Sequence, residues 1–216
     1  MKASNEEFPQ IFNFAASDVI TDVEVESYLK KYIPVQHLQG CLGIHYYNDC
    51  VIDVKTGART YGWWDPVPES ARCSMIKIFS HKDLVENHGA FCFDSVVQQG
   101  AAKKRIIKTV VHEVAHQEYH NLTIDDHGLI EEWEQLHYLS GADEFVSAYA
   151  KTSPSEDFAE SYKDFVTDLG ETLVKVNESK YHYFGRIFNP SVQVPLMSEL
   201  KPFDSKDYSK GVINLS

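Results

Sequence analysis

The apolar positions change period near the middle of this chain. Between about Val35 and Ser80, short apolar runs are bounded by turn residues, as strands are. After Gly100 the apolar positions recur at helical spacing. Upstream of both, Asp18 or Thr21 can cap a helix running to about Tyr32, with Val19, Val23, Tyr28 and Leu29 as expected core contacts and Pro34 as its stop. Residues 51–54 followed by 55–58 read as a strand and turn, and 75–79 as a strand with mixed faces. Trp63-Trp64-Asp65-Pro66-Val67-Pro68 carries too much proline for a central strand, and 90–93 reads as a short edge strand. Helices are expected over about 101–120, 129–139, 142–150 and 155–176, with a weakly periodic stretch over 190–216 wrapping the surface. Strands first and helices afterwards predict an α+β domain, and 216 residues suit a single one, 1–216.

Composition narrows the class of partner. A hydrophobic content of 43% supports an ordinary core. No apolar run approaches the roughly 18 residues that span a bilayer. A net charge of −12 argues against nucleic acid or an anionic membrane as partner. The start, Met1-Lys2-Ala3-Ser4-Asn5-Glu6-Glu7, has no apolar segment of the kind a classical signal peptide carries. Cys41, Cys50, Cys73 and Cys92 could form two bridges in an oxidising compartment, or stand as small buried residues in a reducing one. None has the spacing of a zinc ribbon.

Chemistry enters with His112-Glu113-Val114-Ala115-His116. On a helix, residues four apart share a face, so both imidazoles can reach one metal ion. Glu113 then projects beside them, where it can take a proton from a water at that ion. The motif follows Ile106-Ile107-Lys108-Thr109-Val110-Val111, an apolar entry. Burying two histidines and a glutamate without a partner would be costly, and a metal removes that cost.

A catalytic zinc takes three protein ligands. His120, another turn along, would be nearly collinear with the first two and cannot help surround one ion. Asp125, Asp126 and His127 suit a turn and a helix cap. Glu131, Glu132 and Glu134 suit a solvated face, and Glu144 has no distinctive neighbours. Glu156 opens an expected helix after Pro154, with Glu160 one turn on. The pair fits a ligand and its supporting carboxylate, and it also fits an acidic first turn favoured by the helix dipole.

The combination of H-E-x-x-H with Tyr149 and Pro154-Ser155-Glu156-Asp157-Phe158-Ala159-Glu160 resembles the catalytic domain family of anthrax lethal factor, which includes the secreted Pro-Pro endopeptidases. Tyr149 lies seven residues before Glu156, and Glu156 lies 40 residues after His116, as in that family. Trp64-Asp65-Pro66-Val67-Pro68 resembles the W-D-x-V-P segment of the Pro-Pro endopeptidases. The resemblance covers about Trp64 to Val166.

It implies a zincin-like fold with a small mixed sheet, an active-site helix and a helical C-terminal half. It implies one catalytic Zn²⁺ on His112, His116 and Glu156, with Glu113 as general base, Tyr149 as oxyanion donor, Glu160 supporting a ligand histidine and Trp64 flanking the substrate. The expected activity is a zinc endopeptidase acting on protein or peptide substrates as a monomer, secreted or exported, of either toxin or housekeeping type. A zincin-like binding module without catalysis is the alternative. The chain departs from the Pro-Pro endopeptidases at Ser155, Glu69 and Gly62, positions that border the substrate cleft in that group.

Overall fold

The computed structural model describes residues 8–52, 57–68, 72–80 and 95–189. The strand expected over 90–93, the turn at 55–56, Cys92 and the stretch 190–216 lie outside the described residues. Strands are β1 (Gln10–Phe12), β2 (Cys41–Tyr47), β3 (Val51–Ile52), β4 (Arg59–Thr60), β5 (Gly62–Pro66) and β6 (Ser74–Phe79). Helices are α1 (Asp22–Tyr32), α2 (Ser95–Asp125), α3 (His127–Leu139), α4 (Pro154–Thr167), α5 (Glu171–Val176) and α6 (Glu178–Phe188). The protein is thus mixed α+β, with a small mixed sheet and a helical C-terminal half.

Four strands form one sheet in the order β1-β2-β6-β5. β1 and β6 run parallel to β2, and β5 runs antiparallel to β6 at the edge. The edge position suits Pro66, which has no N–H for an interior ladder. β3 and β4 pair as a separate two-stranded hairpin. α2 lies against β5 and β6 on one side and α4 on another. Its residues Ile106, Val110, Val111, Val114 and Ala115 share one buried core with Ile44, Tyr46, Ile76 and Ile78 of the sheet. A second part of that core is aromatic: Trp133 of α3, Phe158 of α4 and Phe184 of α6 meet with ring centroids 5.1–5.3 Å apart. Separations in this range, in tilted or edge-on geometry, are the favourable ones for aromatic rings.

Local chemistry sets the helix boundaries. Thr21 caps α1 in a reciprocal box with Glu24, and Ile33 ends it before Pro34. Asp126 caps α3 through Leu129 N–H, and Ser153 caps α4 with Pro154 at its first turn.

Several expectations are corrected. Val23 is 69% exposed, and the buried positions of α1 are Val25 and Leu29. The helix expected over 142–150 is a run of turns and bends ending in a short 3-10 turn, Ala150–Thr152. There Glu144 accepts from Gly141 N–H and Ser147 from Ala150 N–H, and such side-chain bonds compete with the helical ladder. The helix expected over 155–176 breaks into α4 and α5 at Leu169 and Gly170, both with positive φ. Asp164 C=O accepts from both Asp168 and Gly170, closing α4. A Cβ on Gly170 would come within 2.8 Å of Tyr181 Cδ2, so glycine serves both the backbone and the contact. α6 was not anticipated.

Candidate metal centre

α2 carries His112 and His116 one turn apart, with their rings edge-on and 4.9 Å between centroids. Glu156 sits in the first turn of α4, where Ser153 Oγ accepts its N–H. The two helices bring three donor atoms together. His112 Nε2 and His116 Nε2 are 3.2 Å apart, and Glu156 Oε2 lies 3.3 Å from the first and 3.4 Å from the second. Atoms bound at about 2.0–2.1 Å to a tetrahedral ion are separated by about 3.3–3.4 Å. The triangle therefore has the dimensions of three corners of such a site. Glu156 Oε2 is buried and makes no hydrogen bond of proper geometry, although it is close to both nitrogens. An orphaned buried carboxylate oxygen facing two imidazole nitrogens is costly without a cation or a proton between them. Among the described residues, these three form a group that could hold a metal ion.

The surroundings favour positive charge at that point. His112 Nδ1 lies 3.0 Å from Glu160 Oε1, and Lys163 Nζ bonds the same oxygen. Burial alone would push the His112 imidazolium pKa down, yet Glu156, Glu160 and Glu113 together hold it up at about 9. Burial would raise Glu160, but His112 and Lys163 bring it down to about 2. Burial likewise opposes ionisation of Glu156, and the two histidines overcome it, holding that carboxyl well below its ordinary range. The donor set, two neutral imidazoles and one carboxylate, is one that zinc accepts.

Glu113 lies beneath β5. Burial raises its pKa against the pull of both histidines, and the backbone N–H of Trp64 donates to its carboxylate. Gly62 makes this possible, because a side chain there would meet Glu113. Tyr149 stacks on His112, ring centroids 6.1 Å apart, and is 53% exposed. Burial of its hydroxyl, with Glu156 beside it, pushes the phenol well above its usual range, so it stays a donor.

These groups line a cleft of about 610 Å³ with Trp63, Trp64 and Ile52 along its apolar wall. A second cavity of about 570 Å³ adjoins it across His112 and Glu113 and carries Arg59, Lys108 and Lys163. The edge strand β5 runs beside both, contributing Gly62 to each.

His112, Glu113, His116, Tyr149, Glu156 and Glu160 thus come together in one place. Trp64 lines the same cleft. Its indole N–H donates to Gln117 Oε1 at 3.0 Å and its ring lies 5.1 Å from His120. The exposed tryptophan of the cleft is Trp63, at 54%. Sequence reasoning missed Trp63, Gln117 and Lys163. Lys163 carried a usable signal, three residues after Glu160 on the same helix face. Asp125 is paired with Arg72, away from the triad.

Comparisons with protein-family models, with curated proteins and with solved structures return no match for this chain.

Proposed function

We propose that this protein is a zinc-dependent endopeptidase with a zincin-like, lethal-factor-like active site, hydrolysing peptide bonds in protein substrates. The single observation that carries the reading is the His112–His116–Glu156 triangle with Glu113 beside it, opening on a cleft along an edge strand. A purely structural metal site would have no use for a buried carboxylate at position 113.

A bound Zn²⁺ supplies Lewis acidity, lowering the pKa of water towards about 7 and polarising a carbonyl oxygen. Glu113, with its pKa raised by burial, takes the proton of the attacking water and delivers it to the leaving amine. The Tyr149 hydroxyl, kept protonated, donates to the developing oxyanion from its place over His112. Glu160 accepts from His112 Nδ1, which fixes the tautomer and leaves Nε2 free to bind metal. Among the described residues β5 is an edge strand of its sheet and runs beside the cleft, where an extended substrate would lie.

The test is mass spectrometry of a proteome-derived peptide library after incubation with the zinc-loaded wild type and with Glu113→Gln. Cuts made by the wild type alone support the reading, and their flanking residues define specificity. No difference between the two proteins, with zinc bound to both, would assign the site to binding rather than hydrolysis.

A further inference from the structure

Glu156, in the first turn of α4, and Tyr149, in the loop before it, enter the candidate centre from outside the long helix. One side chain touches the supports of both. Lys180, near the start of α6, is fully buried. Its ammonium donates to Asp157 Oδ2 at 2.7 Å and lies 4.1 Å from the centre of the Phe145 ring. Asp157 directly follows Glu156 in the first turn of α4, and Phe145 precedes Tyr149 in the same loop.

The Asp157 carboxylate is also bound from other directions. His137 Nδ1 of α3 donates to Oδ2 at 3.0 Å, and Ser161 Oγ donates to Oδ1 at 3.3 Å. Trp133 Nε1 donates to Pro154 C=O at 2.8 Å, fastening the start of the same helix. The Trp133 ring lies 5.7 Å from Lys180 Nζ, and the His137 ring 5.3 Å from Phe145. A buried ion pair gives little net stability, because desolvation offsets its attraction. What it does supply is direction: a charged bond and a cation–π contact accept few geometries, where apolar packing accepts many.

We propose that Lys180 is a positioning residue for the metal centre: through Asp157 it fixes the first turn of α4 that presents Glu156, and through Phe145 it seats the loop that presents Tyr149. This rests on the peptidase reading above. Neither Lys180 nor Asp157 touches the donor atoms, so the effect is transmitted through Glu156 and Tyr149.

The experiment compares wild type, Lys180→Met and Phe145→Leu for thermal stability without metal, zinc affinity by competition with a chromogenic chelator, and kcat. Each protein is measured well below its own unfolding temperature. Lys180→Met is expected to weaken zinc binding about tenfold, the lower end for loss of a supporting partner, and to lower kcat. Phe145→Leu is expected to leave zinc affinity unchanged and lower kcat severalfold, with no additional loss when combined with Tyr149→Phe. Zinc affinity in Lys180→Met equal to wild type, with only the unfolding temperature lowered, would overturn the proposal and leave Lys180 a core strut. Additive losses in Phe145→Leu/Tyr149→Phe would overturn its second half, and that cycle remains decisive where Lys180→Met does not fold. A wild type that binds no zinc would overturn the metal reading itself, which sets that failure apart from the others.

Discussion

Gly62 and Glu113 compete for one space: a Cβ atom on residue 62 would lie within 2.7 Å of Glu113 Cγ. β5 can therefore pass directly over the carboxylate only because position 62 carries no side chain. Gly62→Ala should displace Glu113 and lower kcat by about 100-fold, the lower end for loss of a positioned general base. Zinc content should be unchanged. Steady-state kinetics with metal analysis checks both, and an unaltered kcat would mean that Glu113 does not work from this position.

Zinc affinity should rise with pH. In the metal-free protein His112 keeps its proton up to about pH 9, against an ordinary value of 6.5. A metal ion must displace that proton. Affinity should climb about tenfold per pH unit and flatten near pH 9, as one proton is exchanged per ion. The sign for stability is opposite. A folded-state pKa raised above the unfolded value gives stability that is complete below pH 6.5 and lost as pH passes through about 9. Chelator competition from pH 6 to 10 checks the first, and a plateau already at pH 7 would contradict it.

Glu118 should contribute a second alkaline loss. It is buried two residues beyond His116, and burial pushes its pKa up to about 8. Its Oε1 approaches His37 Nε2 to 3.5 Å, but burial also pushes His37 down to about 4, so the contact joins neutral groups. The fold therefore favours the protonated carboxyl, and its contribution falls as pH rises from 4.5 through about 8. Glu118→Gln copies the neutral form. At saturating zinc, which removes the His112 contribution, the variant should unfold at a higher temperature than wild type at pH 9 and at nearly the same temperature at pH 5. Equal unfolding temperatures at both pH values would show that Glu118 is ionised in the fold.

Tyr149→Phe should separate catalysis from folding. The side chain is half exposed, so stability should change by less than about 0.5 kcal/mol. Loss of an oxyanion donor should lower kcat by about 100-fold with KM little changed. Unchanged kcat, measured on the substrate found in the library experiment, would reduce the tyrosine to a cover for His112.

Parts of the candidate metal site were legible from local geometry, whereas the meeting of Glu156 with the two histidines was implied only by the resemblance. His112 and His116 share a helix face by their spacing, and Ser153-Pro154 fixes where α4 begins, which puts Glu156 in its first turn. What was not legible depends on contacts between distant parts. Lys180 looks like any surface lysine until α6 packs its first turn against Asp157 and Phe145. Val23 and Val25 are equally apolar, and only the packing of α1 decides that Val25 is inside. Residues 142–150 have helical spacing, but Glu144 and Ser147 spend their side chains on local backbone groups. Strand alternation leaves Trp63 the more exposed of the two tryptophans in the cleft and turns Trp64 towards α2, where Gln117 takes its indole N–H.

The triad is unequal in its attachment. His112 and His116 lie well inside a helix of 31 residues, with more than two turns of helix on either side of the pair. Glu156 lies in an opening turn, held by the Ser153 cap and the Asp157 contacts. Helix interiors open far less often than helix ends. An ion held by the three would therefore leave from the Glu156 side, when that turn frays, with the two imidazoles still in place for the next one.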